Sequence, residues 1–283
     1  METHRHLASE DTARIAGETL RGKMGFANSS KPPVGLILGT GWGDALEYDQ
    51  DRRVPFSRIP GFEALETLKG HAREVVRGRL GKRDFIALRG RVHLNERPAD
   101  ASLHAMVRLQ VEMLLQFGVK DLILTCAAGS LNSDVLPGQI MPIDGFITLF
   151  APDMPLFAGE FCSPEDVIDQ GTIRHLMTRT GKLPISVAPG GGYAMVRGPY
   201  FEGRKYDKKI LRDCGASAVG MSVLPEACVA ALYPDVRVLP LAFITNTAIE
   251  EHSHESNMRI AREASTRLGS FLSMIPYVTK SPR

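Results

Sequence analysis

Three stretches of this 283-residue chain are apolar almost without interruption: VGLIL at 34–38, DLILT at 121–125 and VRVLPLAFIT at 236–245. A strand with one wet face alternates polar and apolar side chains, so short continuous runs read as strands covered on both faces. Covering both faces of a sheet takes helices, and the intervening sequence supplies them. Leu7, Ala13, Ile15, Ala16, Leu20 and Met24 recur at helical spacing among charges. Residues 103–117 set Leu103, Met106, Val107, Leu114 and Phe117 near one face before the stop at Gly118. Strand and helix alternate from end to end, with no internal repeat and no low-complexity linker. The expected fold is α/β: residues 1–283 as a single domain, with an N-terminal helix within 1–30 and a central mixed β-sheet flanked by helices.

Between residues 59 and 94 the pattern changes to short strands and turns, Val75-Val76 and residues 85–88, which predicts an antiparallel hairpin beside the first strand. It ends in Arg91-Val92-His93, where strand alternation would put Arg91 and His93 on one side. That pair is either an anion clamp or the polar edge of a solvated strand. Residues 140–149 are again β-rich. Residues 151–192 form the irregular region, with Pro152, Pro155, Pro164, Pro184, Pro189, the run Gly190-Gly191-Gly192 and one helix near 167–179. Such a segment inside a compact domain is usually a functional loop or an oligomer contact. A helix at 225–233 and one long helix at 253–275, capped by Ser253 with Glu255 in its first turn, complete the chain.

Thirty-four basic against thirty-two acidic side chains leave a net charge of +2, so no global field points to nucleic acid or to a membrane surface. The four cysteines, Cys126, Cys162, Cys214 and Cys228, form no C-x-x-C pair and suit reduced thiols better than disulfides or zinc. The polar start METHRHLASED has no signal-peptide core, and no apolar run approaches the ~20 residues that span a bilayer. The expectation is a cytoplasmic protein without nucleic-acid or membrane partners.

The first strand empties into Gly39-Thr40-Gly41-Trp42-Gly43-Asp44. A glycine turn after a buried strand can present backbone N–H groups to an anion, or can be a tight turn with no ligand. A dinucleotide fold is the weaker reading, because Asp44 stands where close helix packing wants Gly or Ala. Thr40, Ala127, Ser222 and Asn246 share one position: each lies at the C-terminal end of an apolar strand or just beyond, the edge at which open α/β sheets bind ligands. Thr40, Arg91, His93 and Ser222, with amides near Ala127, would cradle a tetrahedral oxyanion. Glu202 and Asn246 would offer an acceptor and an amide to a flat heterocycle. Phe201 and Met221 read equally as core or as platform.

The ordered segments resemble a known family. GLILGTGWGD, GHAREVVRGRL, LRGRVH, LTCAAGSLNSDVLPG, YAMVRGPYFEGRKYDKKILRDCGASAVGMSVLPE, ITNTA and the pair His254-Glu255 are similar to the trimeric purine nucleoside phosphorylases, which include the 5′-methylthioadenosine phosphorylases. The likeness runs from residue 34 to the C-terminus apart from 151–192. It implies a three-layer nucleoside phosphorylase-like fold, a homotrimer and a pentosyltransferase of purine salvage. The implied reaction takes a purine nucleoside and phosphate to free base and ribose 1-phosphate. It implies no cofactor and no metal, inorganic phosphate being a co-substrate. Carried over by position, the phosphate site falls on Thr40, His71, Arg91, His93, Ala127 and Ser222. The purine site falls on Phe201, Glu202 and Asn246, and the sugar site on Met221, His254 and Asn95. Asn246, Glu202 and His93 are the implied catalytic set. Relatives acting on 6-amino purines carry Asp where this chain has Asn246, which implies inosine and guanosine over adenosine. His254 implies a 5′-hydroxyl.

The chain departs from the family pattern at three places. Asn95 replaces an aromatic that faces the sugar, Gly145-Phe146 replace an Asp-His pair, and the 151–192 segment is shorter than usual. Phe157 and Phe161 are the aromatics in that segment available to a neighbouring subunit's sugar pocket. Methylthioinosine, xanthosine or methylthioadenosine as substrate, or a nucleoside-binding homologue without turnover, are the alternative functions.

Overall fold

The computed structural model describes residues 10–25, 31–65, 72–97, 100–157, 159–198, 200–203, 205–247 and 254–279. In chain order the elements are α1 (Glu10–Met24), β1 (Val34–Leu38), β2 (Arg53–Pro55), β3 (Glu74–Leu80), β4 (Arg83–Arg89), α2 (Ala101–Phe117), β5 (Asp121–Ser130), β6 (Ile140–Ile147), α3 (Gln170–Met177), β7 (Gly191–Met195), α4 (Asp207–Asp213), β8 (Ala216–Gly220), α5 (Leu224–Ala230), β9 (Arg237–Thr247), α6 (His254–Glu263), α7 (Ser265–Leu272) and α8 (Pro276–Thr279). Among the described residues, nine strands form one sheet in the order β2-β3-β4-β1-β5-β8-β7-β6-β9, and β5 pairs with β9 as well. That extra pairing closes β5, β8, β7, β6 and β9 into a ring, so an open wing is joined to a small barrel along β5. The sheet is mixed: β1 runs parallel to β4 and β5, whereas β3 is antiparallel to β4 and β5 to β8.

The unbroken apolar pattern of β1 follows from its two covered faces. Ile37 packs into the cluster that holds Leu20 of α1, Leu114 of α2 and Ala227 of α5. Leu36 and Leu38 pack into the other cluster, with Ile173 of α3, Ala261 of α6 and Phe271 of α7. Each fully buried aliphatic side chain is worth ~1.5–3 kcal/mol, so these two layers specify the strand's register and its place in the centre.

Several expectations change. Leu7 lies outside the described residues, and α1 begins at Glu10. Arg91 to His93 are not strand: β4 ends at Arg89, Gly90 turns with φ 94°, and a 3-10 turn follows at Leu94–Glu96. The strand expected at 121–125 runs on: residues 126–130, a small-residue stretch expected to be a turn, are the second half of β5, held extended by β9 despite their low strand propensity. The expected long C-terminal helix is broken at Ala264, whose φ of −88° and ψ of −7° loosen the chain between α6 and α7. The short edge strand β2 carries no periodic signal and was not expected. Among the described residues, no helix is long and apolar enough to cross a membrane.

Candidate active site

The site begins with a fork in β5. Residues 121–124 pair with β1 on one edge, but from Gly129 that edge belongs to β8. Between them, residues 125–128 have no strand partner on that side, and buried backbone polar groups cannot be left unpaired. Side chains satisfy them. Arg91 Nη2 donates to the Thr125 carbonyl, and Trp42 Nε1 donates to the Cys126 carbonyl at 3.1 Å. Trp42, which had no assignable role in the sequence, is thus a backbone cap.

A cavity of about 600 Å³ occupies this fork. Thr40, Arg91, His93, Asn95, Ala127, Phe201, Glu202, Met221, Ser222 and Asn246 all line it. His71 lies outside the described residues. His254 opens α6, and its side chain is likewise outside the description.

The turn after β1, the Arg91 to His93 segment and the turn after β8 all contribute to the cavity wall. Gly41 has a φ of +82°, and a Cβ there would come within 2.0 Å of Ala261 Cβ, so only glycine lets this turn sit under α6. His93 is held by its own 3-10 turn: its backbone N–H donates to Glu96 Oε1 at 2.8 Å, and its imidazole accepts the Glu96 backbone N–H. A ring nitrogen that accepts is unprotonated, which puts the ring's hydrogen on the other nitrogen. Glu96 is in turn paired with Arg73. Ser222 is followed by Val223 at φ 76°, a strained conformation for a β-branched residue. This kink turns β8 directly into α5 and brings Glu226 back to Arg91.

Arg91 differs from the simple anion clamp of the sequence reading. It is fully buried, and its Nη1 donates to Glu226 Oε1 at 2.7 Å, while Nη2 also reaches the Ile37 carbonyl at 3.3 Å. Its charge is therefore balanced within the protein, and it ties the end of β1 to the middle of β5. Among the described residues its Nε is buried with no hydrogen-bond partner.

The acid and the amide also line the cavity. Glu202 is nearly buried, its side chain 7% exposed, and faces Lys208 Nζ of α4 at 3.6 Å. Phe201 beside it is 46% exposed. The Asn246 amide is pinned by its neighbours: Oδ1 accepts from the Thr245 hydroxyl at 3.0 Å and Nδ2 donates to the Thr247 carbonyl at 3.2 Å. It lies against Gly129, where a Cβ would come within 3.0 Å of Nδ2. Asn95 Oδ1 accepts from the Gly198 N–H at 3.2 Å, tying the His93 turn to the loop that carries Phe201 and Glu202.

Sequence reasoning missed Lys208, Glu226, Glu96 and Asn257, of which Glu96 and Asn257 line the cavity. The acids and the lysine lie in otherwise ordinary charged turns and helices, and only the fold shows which of those charges are buried. Gly145-Phe146 fall in β6, and the Phe146 ring packs edge-on against Tyr193 with centroids 6.3 Å apart. Burial pushes the Cys126 thiol up to about 12 and raises the Tyr193 hydroxyl as well. Both stay neutral, and Cys126 lines the cavity. Among the described residues, no group of three or more His, Cys, Asp or Glu is placed to hold a metal ion. Chemically, the cavity offers hydroxyls, an imidazole, a paired carboxylate and a fixed amide.

Comparison with known proteins agrees with this geometry. The phosphorylase superfamily model matches residues 33–275. The chain is 31% identical over 263 residues to the purine nucleoside phosphorylase of Bos taurus, covering 87% of this chain and 88% of that one. It is 31% identical over 245 residues to purine nucleoside phosphorylase 1 of Bacillus subtilis, covering 82% and 87%. The solved structure of isoform 2 of purine nucleoside phosphorylase from Schistosoma mansoni, in complex with cytosine and ribose-1-phosphate, superposes with a TM-score of 0.80 at 24% identity over 98% of each chain, a likeness of fold. With a family match over most of its length and relatives that share most of its span, the chain belongs to the phosphorylase superfamily, alongside the purine nucleoside phosphorylases.

Proposed function

We propose that this protein catalyses the reversible phosphorolysis of purine nucleosides of the inosine and guanosine type, giving free base and ribose 1-phosphate. One observation carries the reading: Thr40, His93, Ser222, Glu202 and Asn246, far apart in the chain, all line one cavity. The names of the relatives support it. Phosphate binds at the Thr40 turn and attacks C1′ of the sugar, the C1′–N9 bond breaks, and its electron pair passes into the purine ring. Asn246 meets N7 and the 6-oxo oxygen, and Glu202 accepts from N1–H. Contacts that strengthen as the ring becomes anionic lower the barrier rather than merely tightening binding. Arg91 shares its charge between Glu226 and the phosphate and keeps the two strands in place. His71, Ala127, Met221, His254 and Asn95 complete the proposed ligand set. Inorganic phosphate is the co-substrate, with no further cofactor.

Assembly as a homotrimer and a place in cytoplasmic purine salvage belong to the same proposal. Phe161 is 92% exposed, whereas Phe157 lies under the Arg108 guanidinium at 4.2 Å, so Phe161 is the better placed to reach a neighbouring subunit. The free cysteines suit a reducing compartment. The deciding experiment is phosphate-dependent base release across inosine, guanosine, xanthosine, adenosine, methylthioadenosine and methylthioinosine. Inosine and guanosine should be cleaved fastest. Faster cleavage of adenosine or methylthioadenosine would overturn the role of Asn246, and tight binding without base release at any phosphate concentration would make the protein a binder.

A further inference from the structure

Asn257 stands out among the polar groups of the cavity. It lies on α6 and lines the main cavity, and its Oδ1 is buried with no hydrogen-bond partner among the described residues. A buried acceptor without a partner destabilises a fold, so it is kept where something else pairs with it. We propose that Asn257 is a specificity-determining residue that pairs with a hydroxyl of the nucleoside's sugar. The inference rests on the phosphorylase reading for the identity of the ligand.

The position of α6 selects the sugar rather than phosphate or base. Ala261, one turn further along the helix, is locked against Gly41 of the turn that carries Thr40. Met258 and Arg262 face a smaller cavity of about 160 Å³ that shares Gly39 and Thr40. Asn257 therefore lies about 6 Å along the helix from the Thr40 turn, on the face turned to the main cavity. One helical turn from the Thr40 turn, it is within reach of the group joined to a phosphate bound there, which in phosphorolysis is the sugar. A hydroxyl both donates and accepts, so it satisfies an amide in either orientation. A C–H group or a thioether sulfur cannot.

The test measures calorimetric affinity for inosine and its 2′-, 3′- and 5′-deoxy analogues, with turnover read separately in phosphate, for the wild type, Asn257→Leu and Asn257→Asp. One deoxy analogue should bind the wild type at least about tenfold more weakly than inosine. Asn257→Leu should erase that one ratio and leave the other two, with hypoxanthine affinity unchanged as the control for folding. Asn257→Asp, which keeps an acceptor, should retain the discrimination. Unchanged ratios in Asn257→Leu, an equal loss for all four nucleosides and for hypoxanthine, or an Asp variant that behaves like Leu would each overturn the proposal. Hydroxyl-dependent binding without base release would instead overturn the phosphorylase reading and leave the role of Asn257 standing.

Discussion

Replacing Arg91 with methionine tests whether the arginine is first a ligand contact or first a part of the sheet. The change leaves Glu226 buried without its partner at 2.7 Å and strips donors from the Ile37 and Thr125 carbonyls. Breaking one side of a buried ion pair costs ~3–5 kcal/mol, and an orphaned Thr125 carbonyl adds ~1–3 kcal/mol, whereas the Ile37 carbonyl keeps the Thr125 hydroxyl at 3.3 Å. The total approaches the ~5–15 kcal/mol stability of a whole domain, so the single variant should unfold at far lower urea or fail to fold. Removing the carboxylate as well, in Arg91→Met with Glu226→Met, abolishes the uncompensated charge and should recover ~3 kcal/mol or more of that loss. The recovered protein should still need more phosphate for half-saturation than the wild type. Far-UV circular dichroism in urea gives the stabilities, and phosphate titration at fixed inosine gives the second reading. A single variant as stable as the wild type, or a double variant no more stable than the single, would refute the ion-pair reasoning. Normal phosphate saturation in the double variant would place Arg91 outside the phosphate contacts.

Lys208→Met removes the cation facing Glu202 at 3.6 Å and should weaken nucleoside and free-base binding by about tenfold or more while leaving phosphate saturation little changed. Lys208→Arg should retain most of the affinity, and a methionine variant with an unaltered KM for inosine would sink the coupling. The thiols offer a pH test. Burial holds Cys126 at about 12, so at pH 8 only about 10⁻⁴ of it is thiolate, rising about tenfold per pH unit. Iodoacetamide followed by peptide mass spectrometry should therefore label exposed Cys214 well before Cys126, and equal labelling rates in the folded protein would contradict the assigned burial.

The covered strands were legible in the sequence because VGLIL, DLILT and VRVLPLAFIT are apolar on both faces, and a wet strand cannot be. The candidate residues were legible because Thr40, Ser222 and Asn246 sit where such strands end, although Asn246 proved to lie inside β9 rather than beyond it. The fork was not. Ala127-Ala128-Gly129 read as a turn because their strand character comes from β9, a partner far along the chain. Nor does composition reveal that Glu226 neutralises Arg91, since one acid on a short helix looks like any other. Val223 shows the same limit from the opposite side: a β-branched residue is a poor sequence signal for a left-handed kink, and only the surrounding packing holds it there.

The fork also has a mechanical meaning. Wing and barrel are two curved pieces sharing β5, whose register with β9 shifts between Ala128 and Gly129, where β9 carries the extra residue Thr245, beside the cavity. Thr40 and His93 ride on the wing, Ser222 and Asn246 on the barrel. A bound molecule touching both is a strut across the joint, and its binding energy appears as stiffness of the whole sheet. At a hundred times its Kd, such a strut adds ~2.7 kcal/mol to unfolding. Hydrogen exchange along β1 and β8, strands that never pair with each other, should then slow together.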